Sequence, residues 1–258
     1  MHSTGFTVMF AAAVCGVCSI FVAGSAVSLA DRQETNKLLD RQGKVLDVAG
    51  LVADGEKLSA EQIAERYGEN IKPMLIDLKT GKPADGDPAN FDQKKAAADP
   101  ATSHAAPPND AKVMRLPEKA LVYKVEQGGE LKGIILPIEG KGLWSTLYGF
   151  LALESDAETI QGITFYQHGE TPGLGGEVDN PRWKNLWKGR KAFDDEWEPK
   201  IAVKKGTAGP PAEDPFQVDG LSGATITSRG VTHLVQFWLD DNGYGPYLEN
   251  YRSEHGIK

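Results

Sequence analysis

From Phe6 to Ala30 the chain reads FTVMFAAAVCGVCSIFVAGSAVSLA, 25 residues without a charge. As a helix rising ~1.5 Å per residue, this run spans the ~30 Å hydrocarbon layer of a bilayer with tilt to spare. It predicts a single N-terminal transmembrane helix over residues 6–30. A cleaved signal peptide is the rival reading, because Ser28-Leu29-Ala30 loosely resembles a small-residue cleavage site. Against it, the segment before the run lacks Lys and Arg, and the run is longer than the apolar part of an ordinary signal peptide. Cys15 is a poor lipoprotein cysteine, since Val14 stands where a small residue is needed. Arg32, Lys37, Arg41 and Lys44 follow the span, whereas His2 and the terminal amine precede it. The positive-inside rule would then keep the large domain in the cytoplasm, although long domains translocate largely regardless of flanking charge. Cys15 and Cys18 share one helix face and are either small apolar filler or a contact with partner membrane helices.

Both cysteines of the chain lie in that run, so beyond it no disulfide or thiolate-held iron–sulfur cluster can form. The five histidines, His2, His104, His168, His233 and His255, show no ligand spacing, and no metal site is expected. A net charge of −8 is the wrong sign for a nucleic-acid footprint and directs attention to small molecules and proteins as partners.

Residues 31–112 read as a helical connector followed by an Ala/Pro-rich surface excursion. Leu38, Leu39 and Leu46 suggest a helix over 31–50, and Ser59 with Gln62 forms a capping box for a short helix through Tyr67. From Lys82 to Lys112 Ala, Asp and Pro dominate, as in a linker. Residues 113–250 carry an α+β pattern. Strands are expected at Leu121–Val125, Gly133–Ile138, Leu143–Leu153 and Ile160–Tyr166 as an antiparallel meander, with a further strand at Ile201–Lys205. Asn180-Pro181 opens a helix bearing Trp183, Leu186 and Trp187. Val231, Leu234, Val235, Trp238 and Leu239 repeat at helical spacing, on a helix beginning near Ser228 and stopping at Asn242-Gly243.

Between these elements lies VDGLSGATITSRGV, residues 218–231, a run of hydroxyls in a glycine-rich turn just before a helix. Free N–H groups and the positive dipole end at a helix start favour an anion such as a phosphate. The plainer reading is a Ser222-Gly223 turn with Thr227 or Ser228 as the helix cap. No G-x-G-x-x-G strand–helix fingerprint is present, so direct NADH binding is not expected.

Asp219-Gly220-Leu221-Ser222-Gly223-Ala224-Thr225 resembles the D-x-x-[S/T]-G-A-T signature of proteins that carry FMN covalently, and S-G-A-T should occur by chance in under ~1% of chains this long. With GKGLWSTLYGFLALE and FYQHGETPGLGGEVDNPRW, the chain is similar to the C subunits of sodium-translocating NADH:quinone reductases over the anchor and most of the remainder. The resemblance implies an antiparallel β-rich FMN-binding domain with flanking helices, FMN esterified to Thr225 by a separate flavin transferase, and partner subunits in a membrane complex. It also implies single-electron transfer, and a soluble domain on the periplasmic side of a bacterial inner membrane, against the charge signal. Ser222, Gly223, Ala224 and Asp219 belong to the attachment motif. Trp144, Thr171, Gly173, Leu174 and Gly175 would line the isoalloxazine ring, with Glu170, Asp219 and Lys205 as further polar partners. Their plainer reading is a core Trp and a tight Pro-Gly turn. Thr227 is the alternative attachment site. The alternatives for the whole chain are the related G subunit of a ferredoxin-oxidising ion-translocating complex and a flavin-free anchored binding module.

Overall fold

The computed structural model describes residues 3–53 and 55–257, so His2 lies outside it. The chain forms two compact units, Met1–Arg41 and Gln42–Lys258. Helix α1, Thr4–Val48, is continuous, so the expected span and the helix expected over 31–50 are one element. No Gly or Pro interrupts residues 31–42, and the helix ends before Gly50, whose φ of +68° suits the glycine that closes a helix. Its apolar window has a mean hydropathy of 2.3 and none of it is buried. Among the described residues this is the one helix long and apolar enough to cross a membrane.

The second unit begins with the last turn of α1, where Val45, Leu46 and Val48 are buried. Helix α2, Ala60–Asn70, realises the predicted capping box: Ser59 accepts from the Gln62 N–H, and Gln62 Oε1 from the Ser59 N–H. Strand β1, Ile71–Asp77, follows. The stretch expected to be a linker is partly ordered as α3, Gln93–Ala98, and strand β2, Ser103–Ala105, which pairs with β3, Arg115–Pro117. Strands β4 (Lys119–Gln127), β5 (Glu130–Lys141), β6 (Thr146–Glu154) and β7 (Ile160–Gln167) form the expected meander, with β1 added at the edge in the order β1-β4-β5-β6-β7. All its neighbours are antiparallel. Gly128 and Gly129, at φ +61° and +84°, make the two-residue turn between β4 and β5, a conformation only glycine adopts cheaply at both positions.

Both faces of the sheet are covered, which is why β4 to β6 read as nearly unbroken apolar runs. Leu121, Tyr123, Val125, Ile135 and Phe150 share one buried cluster with the end of α1. Alternate residues Ala120, Val122, Ile134, Leu136 and Leu151 share the other with Val231, Leu234, Val235 and Trp238. Those last four lie on α5, Thr225–Leu239, which follows α4 (Pro181–Asn185) and the short parallel pair β8 (Ala202–Val203) and β9 (Gln217–Val218). The strand expected at Ile201–Lys205 shrinks to β8 because its partner β9 is only two residues long. Helix α6, Gly245–His255, has no counterpart in the sequence reading, though Tyr247, Leu248 and Tyr251 form its buried side.

Helix α5 lies hard against β5. A Cβ at Gly140 would stand 2.4 Å from Leu234 Cβ, and one at Gly230 would stand 2.3 Å from the Lys141 carbonyl oxygen. Trp238 Nε1 donates to the Glu139 carbonyl at 2.7 Å. This contact brings the start of α5 to the loop that leaves β5.

The Glu139 side chain lines a cavity of about 250 Å³ with Lys94, Lys112, Arg115 and Tyr148. Burial pushes its carboxyl up from 4.5 to about 7, against the pull of Lys94. Between those values the folded chain holds a proton that the unfolded chain has released. The contribution of Glu139 to stability is therefore expected to fall as pH rises from about 4.5 to about 7, by at most about 3 kcal/mol, and to level off above. Glu139→Gln should flatten this slope, as read by urea titrations near pH 5 and pH 8.

Candidate functional site

Two turns of the same design meet at the candidate site. In the first, the Leu174 N–H bonds to the Thr171 carbonyl at 3.1 Å, with Pro172 and then Gly173 at φ +75° between them. In the second, the Ala224 N–H bonds to the Leu221 carbonyl at 3.1 Å, with Ser222 and then Gly223 at φ +71° between them. A positive φ at the third position of a tight turn selects glycine, and proline at the second presets the other bend. The turns touch: a Cβ on Gly223 would come within 2.9 Å of Leu174 Cδ2.

Helix α5 starts at Thr225, three residues earlier than expected, with Ala224 as a cap residue that makes no side-chain hydrogen bond. The hydroxyls expected to cap it point elsewhere. Ser228 Oγ accepts from the Leu221 N–H at 3.0 Å, which ties the second turn back onto the helix. Thr227 is fully buried and its hydroxyl donates to Glu170 Oε2 at 2.7 Å. Thr225 is exposed, and among the described residues its hydroxyl has no hydrogen-bond partner.

Thr225 borders a pocket of about 560 Å³ whose lining includes Lys204, Lys205, Asp219, Ser222, Gly223 and Arg229. Lys204 is paired with Asp214 at 3.3 Å, while Lys205 and Arg229 are exposed and in no ion pair among the described residues. The Asp219 carboxylate accepts from the Ala208 N–H at 2.8 Å, and its carbonyl from Trp183 Nε1 at 2.8 Å. Asp219 thus holds the pocket wall in shape. Ala224 is buried behind the turn.

Trp144, Thr171, Gly173, Leu174 and Gly175 lie outside this pocket. Trp144 is 67% exposed and Leu174 44%, and Leu143 and Ile226 also leave large apolar side chains in the open. Trp144 is therefore not a core residue. The strand expected from Leu143 begins instead at Thr146, and residues 143–145 form a loop bound to Glu170. Oε1 of that carboxylate accepts from the N–H groups of Trp144 and Ser145 at 2.9 and 3.1 Å, and Oε2 from that of Leu143 at 3.2 Å. Burial pushes the Glu170 carboxyl up, but these bonds, with the one from Thr227, outweigh it and hold it below the ordinary carboxylate range. Gly175 belongs to this cradle, since a Cβ there would stand 2.6 Å from Thr227 Oγ1 and 2.7 Å from Glu170 Oε2. Sequence reasoning gives Glu170 as one of three polar partners and misses that it joins two parts of the site.

The observed features suit a flavin mononucleotide: a free hydroxyl at an uncapped helix start, two unpaired cations beside it, and exposed aromatic and aliphatic groups across the adjoining turn. The FMN-binding domain family matches residues 142–240, which contain all of them. Among curated proteins, the chain is 45% identical over 253 residues to the C subunit of the Na(+)-translocating NADH-quinone reductase of Yersinia pestis, covering 97% of this chain and 94% of that one. The corresponding C subunit of Pseudomonas aeruginosa is 46% identical over 255 residues, with 97% of both chains covered. The crystal structure of Shewanella oneidensis NqrC aligns at a TM-score of 0.75 with 35% identity, over 83% of this chain and 98% of that one. These relatives are C subunits, which sets the G-subunit alternative aside. The chain belongs to the family of Na(+)-translocating NADH-quinone reductase C subunits.

Proposed function

We propose that the chain is the electron-carrying C subunit of a membrane complex that oxidises NADH, reduces quinone and pumps sodium ions, and that it holds FMN through a phosphoester on Thr225. The observation that carries the attachment is the contrast between two hydroxyls two residues apart: that of Thr225 is exposed and, among the described residues, unpartnered, while that of Thr227 is buried and committed to Glu170. Lys205 and Arg229 offset the charge of the phosphodiester, and the first turn of α5 presents N–H groups to it. Trp144 and Leu174 offer apolar faces to the ring system, and the turn glycines admit close backbone approach. When bound, the flavin supplies the electron chemistry. The chain supplies position and electrostatics.

A flavin transferase acts as partner during maturation, and the other subunits are partners in the complex. NADH is oxidised on another subunit. In this reading residues 6–30 remain as a single membrane span, 31–112 connect it to the domain, and 113–250 form the FMN-binding domain on the periplasmic side of the inner membrane. Chain purified from membranes of a host with the transferase should carry the mass of one FMN less one water on the tryptic peptide running from Gly206 to Arg229. Its N-terminal sequence should begin before Ala30. Flavin lost in denaturant would count against the ester, and a terminus at Asp31 against the retained span.

A further inference from the structure

Glu170 lies under the junction of the segments that build the site. Its carboxylate takes hydrogen bonds from the Leu143, Trp144 and Ser145 N–H groups on one loop and from the Thr227 hydroxyl on the first turn of α5. The same residue is followed directly by the turn that carries Leu174. At 5% exposure it makes these contacts away from solvent. Glycines make the approach possible, since a Cβ at Gly142 or at Gly175 would stand 2.7 Å from one of its oxygens.

We propose that Glu170 is the positioning residue of this site, fixing the backbone under Trp144 and the helix turn under Thr225 to one carboxylate so that the two ends of the flavin site keep their spacing. The inference rests on the reading of Thr225 as the FMN attachment point. The Trp144 side chain is largely exposed and has little packing of its own, so its placement depends on its anchored N–H. Thr225 lies two residues before Thr227 on the same turn, and that turn has no side-chain cap to hold it. Hydrogen bonds to a buried charge are the strong ones, and losing one partner loosens both sides.

The test uses the full-length chain in detergent with a flavin transferase and FAD. It follows the rate of covalent flavin appearance on Thr225 by peptide fragmentation, and amide hydrogen exchange before attachment. In Thr227→Val the link to α5 is cut while the loop stays bound. Exchange at 143–145 should remain at the wild-type level, and attachment should slow about tenfold. In Glu170→Gln exchange at 143–145 should also quicken, about tenfold, and attachment should slow at least as much. Glu170→Asp, which keeps the charge, should recover part of the rate. Attachment at the wild-type rate in both Thr227→Val and Glu170→Gln would overturn the proposal. So would slowing accompanied by faster exchange throughout β4 to β7, which marks general unfolding. A wild-type chain that takes up no covalent flavin would instead refute the attachment at Thr225 and the proposal with it, while the exchange data would still report whether Glu170 holds the loop.

Discussion

Thr225→Ala is expected to abolish covalent flavin completely, while Thr227→Val leaves the flavin on Thr225, acquired more slowly. The structural basis is reach, since an acceptor hydroxyl must be open to a second enzyme. Thr225 is exposed, and among the described residues its hydroxyl has no hydrogen-bond partner to be displaced. Thr227 is fully buried with its hydroxyl committed to the Glu170 carboxylate at 2.7 Å, and could meet that enzyme only if the first turn of α5 unwound. Thr225→Ser should retain partial attachment, since it keeps the nucleophilic oxygen and loses only a methyl group. No Lys or Arg lies between Lys205 and Arg229, so both threonines fall on one tryptic peptide and only fragmentation within it separates them. Denatured chain examined by in-gel flavin fluorescence gives the total. Flavin persisting in Thr225→Ala at the wild-type level would refute the assignment.

The parts of the fold that are legible in sequence are those where burial imposes a period. The apolar face of α5 and the runs of β4 to β7 follow directly from what they cover. Edge strand β1 is not legible, because IKPMLID contains a proline, which reads against a strand. Pro73 is tolerated there because β1 is the edge of the sheet: beyond its pairing with β4 its outer side makes only a short bridge, Ile76 to Pro83, which lies past Pro73. The strands β2 and β3 escape for a related reason: they are three residues each, and β2 lies in an Ala/Pro-rich stretch.

At the site, the turn chemistry of Pro172-Gly173 and Ser222-Gly223 can be read locally, and the structure uses both. Illegible are the long-range commitments. Thr227 looks like a helix cap in sequence, yet its partner lies 57 residues earlier. Leu143 looks like the start of a strand, yet its N–H is claimed by the same carboxylate across 27 residues. A single acid among glycines gives no local sign that donors from two distant segments converge on it. The expected start of α5 falls too late for that reason: once Thr227 and Ser228 are occupied elsewhere, they no longer mark the helix end.

A complex assembled with Thr225→Ala should lose quinone reduction and sodium transport together, while NADH still reduces an artificial acceptor at close to the wild-type rate. The first half follows from the proposed attachment. A carrier held by one ester at the start of α5 would lie between the pocket lined by Lys205 and Arg229 and the exposed Trp144 and Leu174, within reach of partner subunits. Both cysteines lie on α1, so no thiolate-held cluster can take over within the domain. The second half rests on the proposed reading that NADH is oxidised on another subunit, so that the entry step keeps its own machinery; the expectation behind it is that the chain carries no G-x-G-x-x-G strand–helix fingerprint. Assembly needs its own control: the stoichiometry of the subunits should be unchanged, because Thr225 is exposed and truncating it leaves the core of α5 intact. If quinone reduction continued at the wild-type rate in a complex verified to lack this flavin, the role of the chain would be structural. If NADH oxidation fell as well, the chain would be acting upstream of where its residues place it.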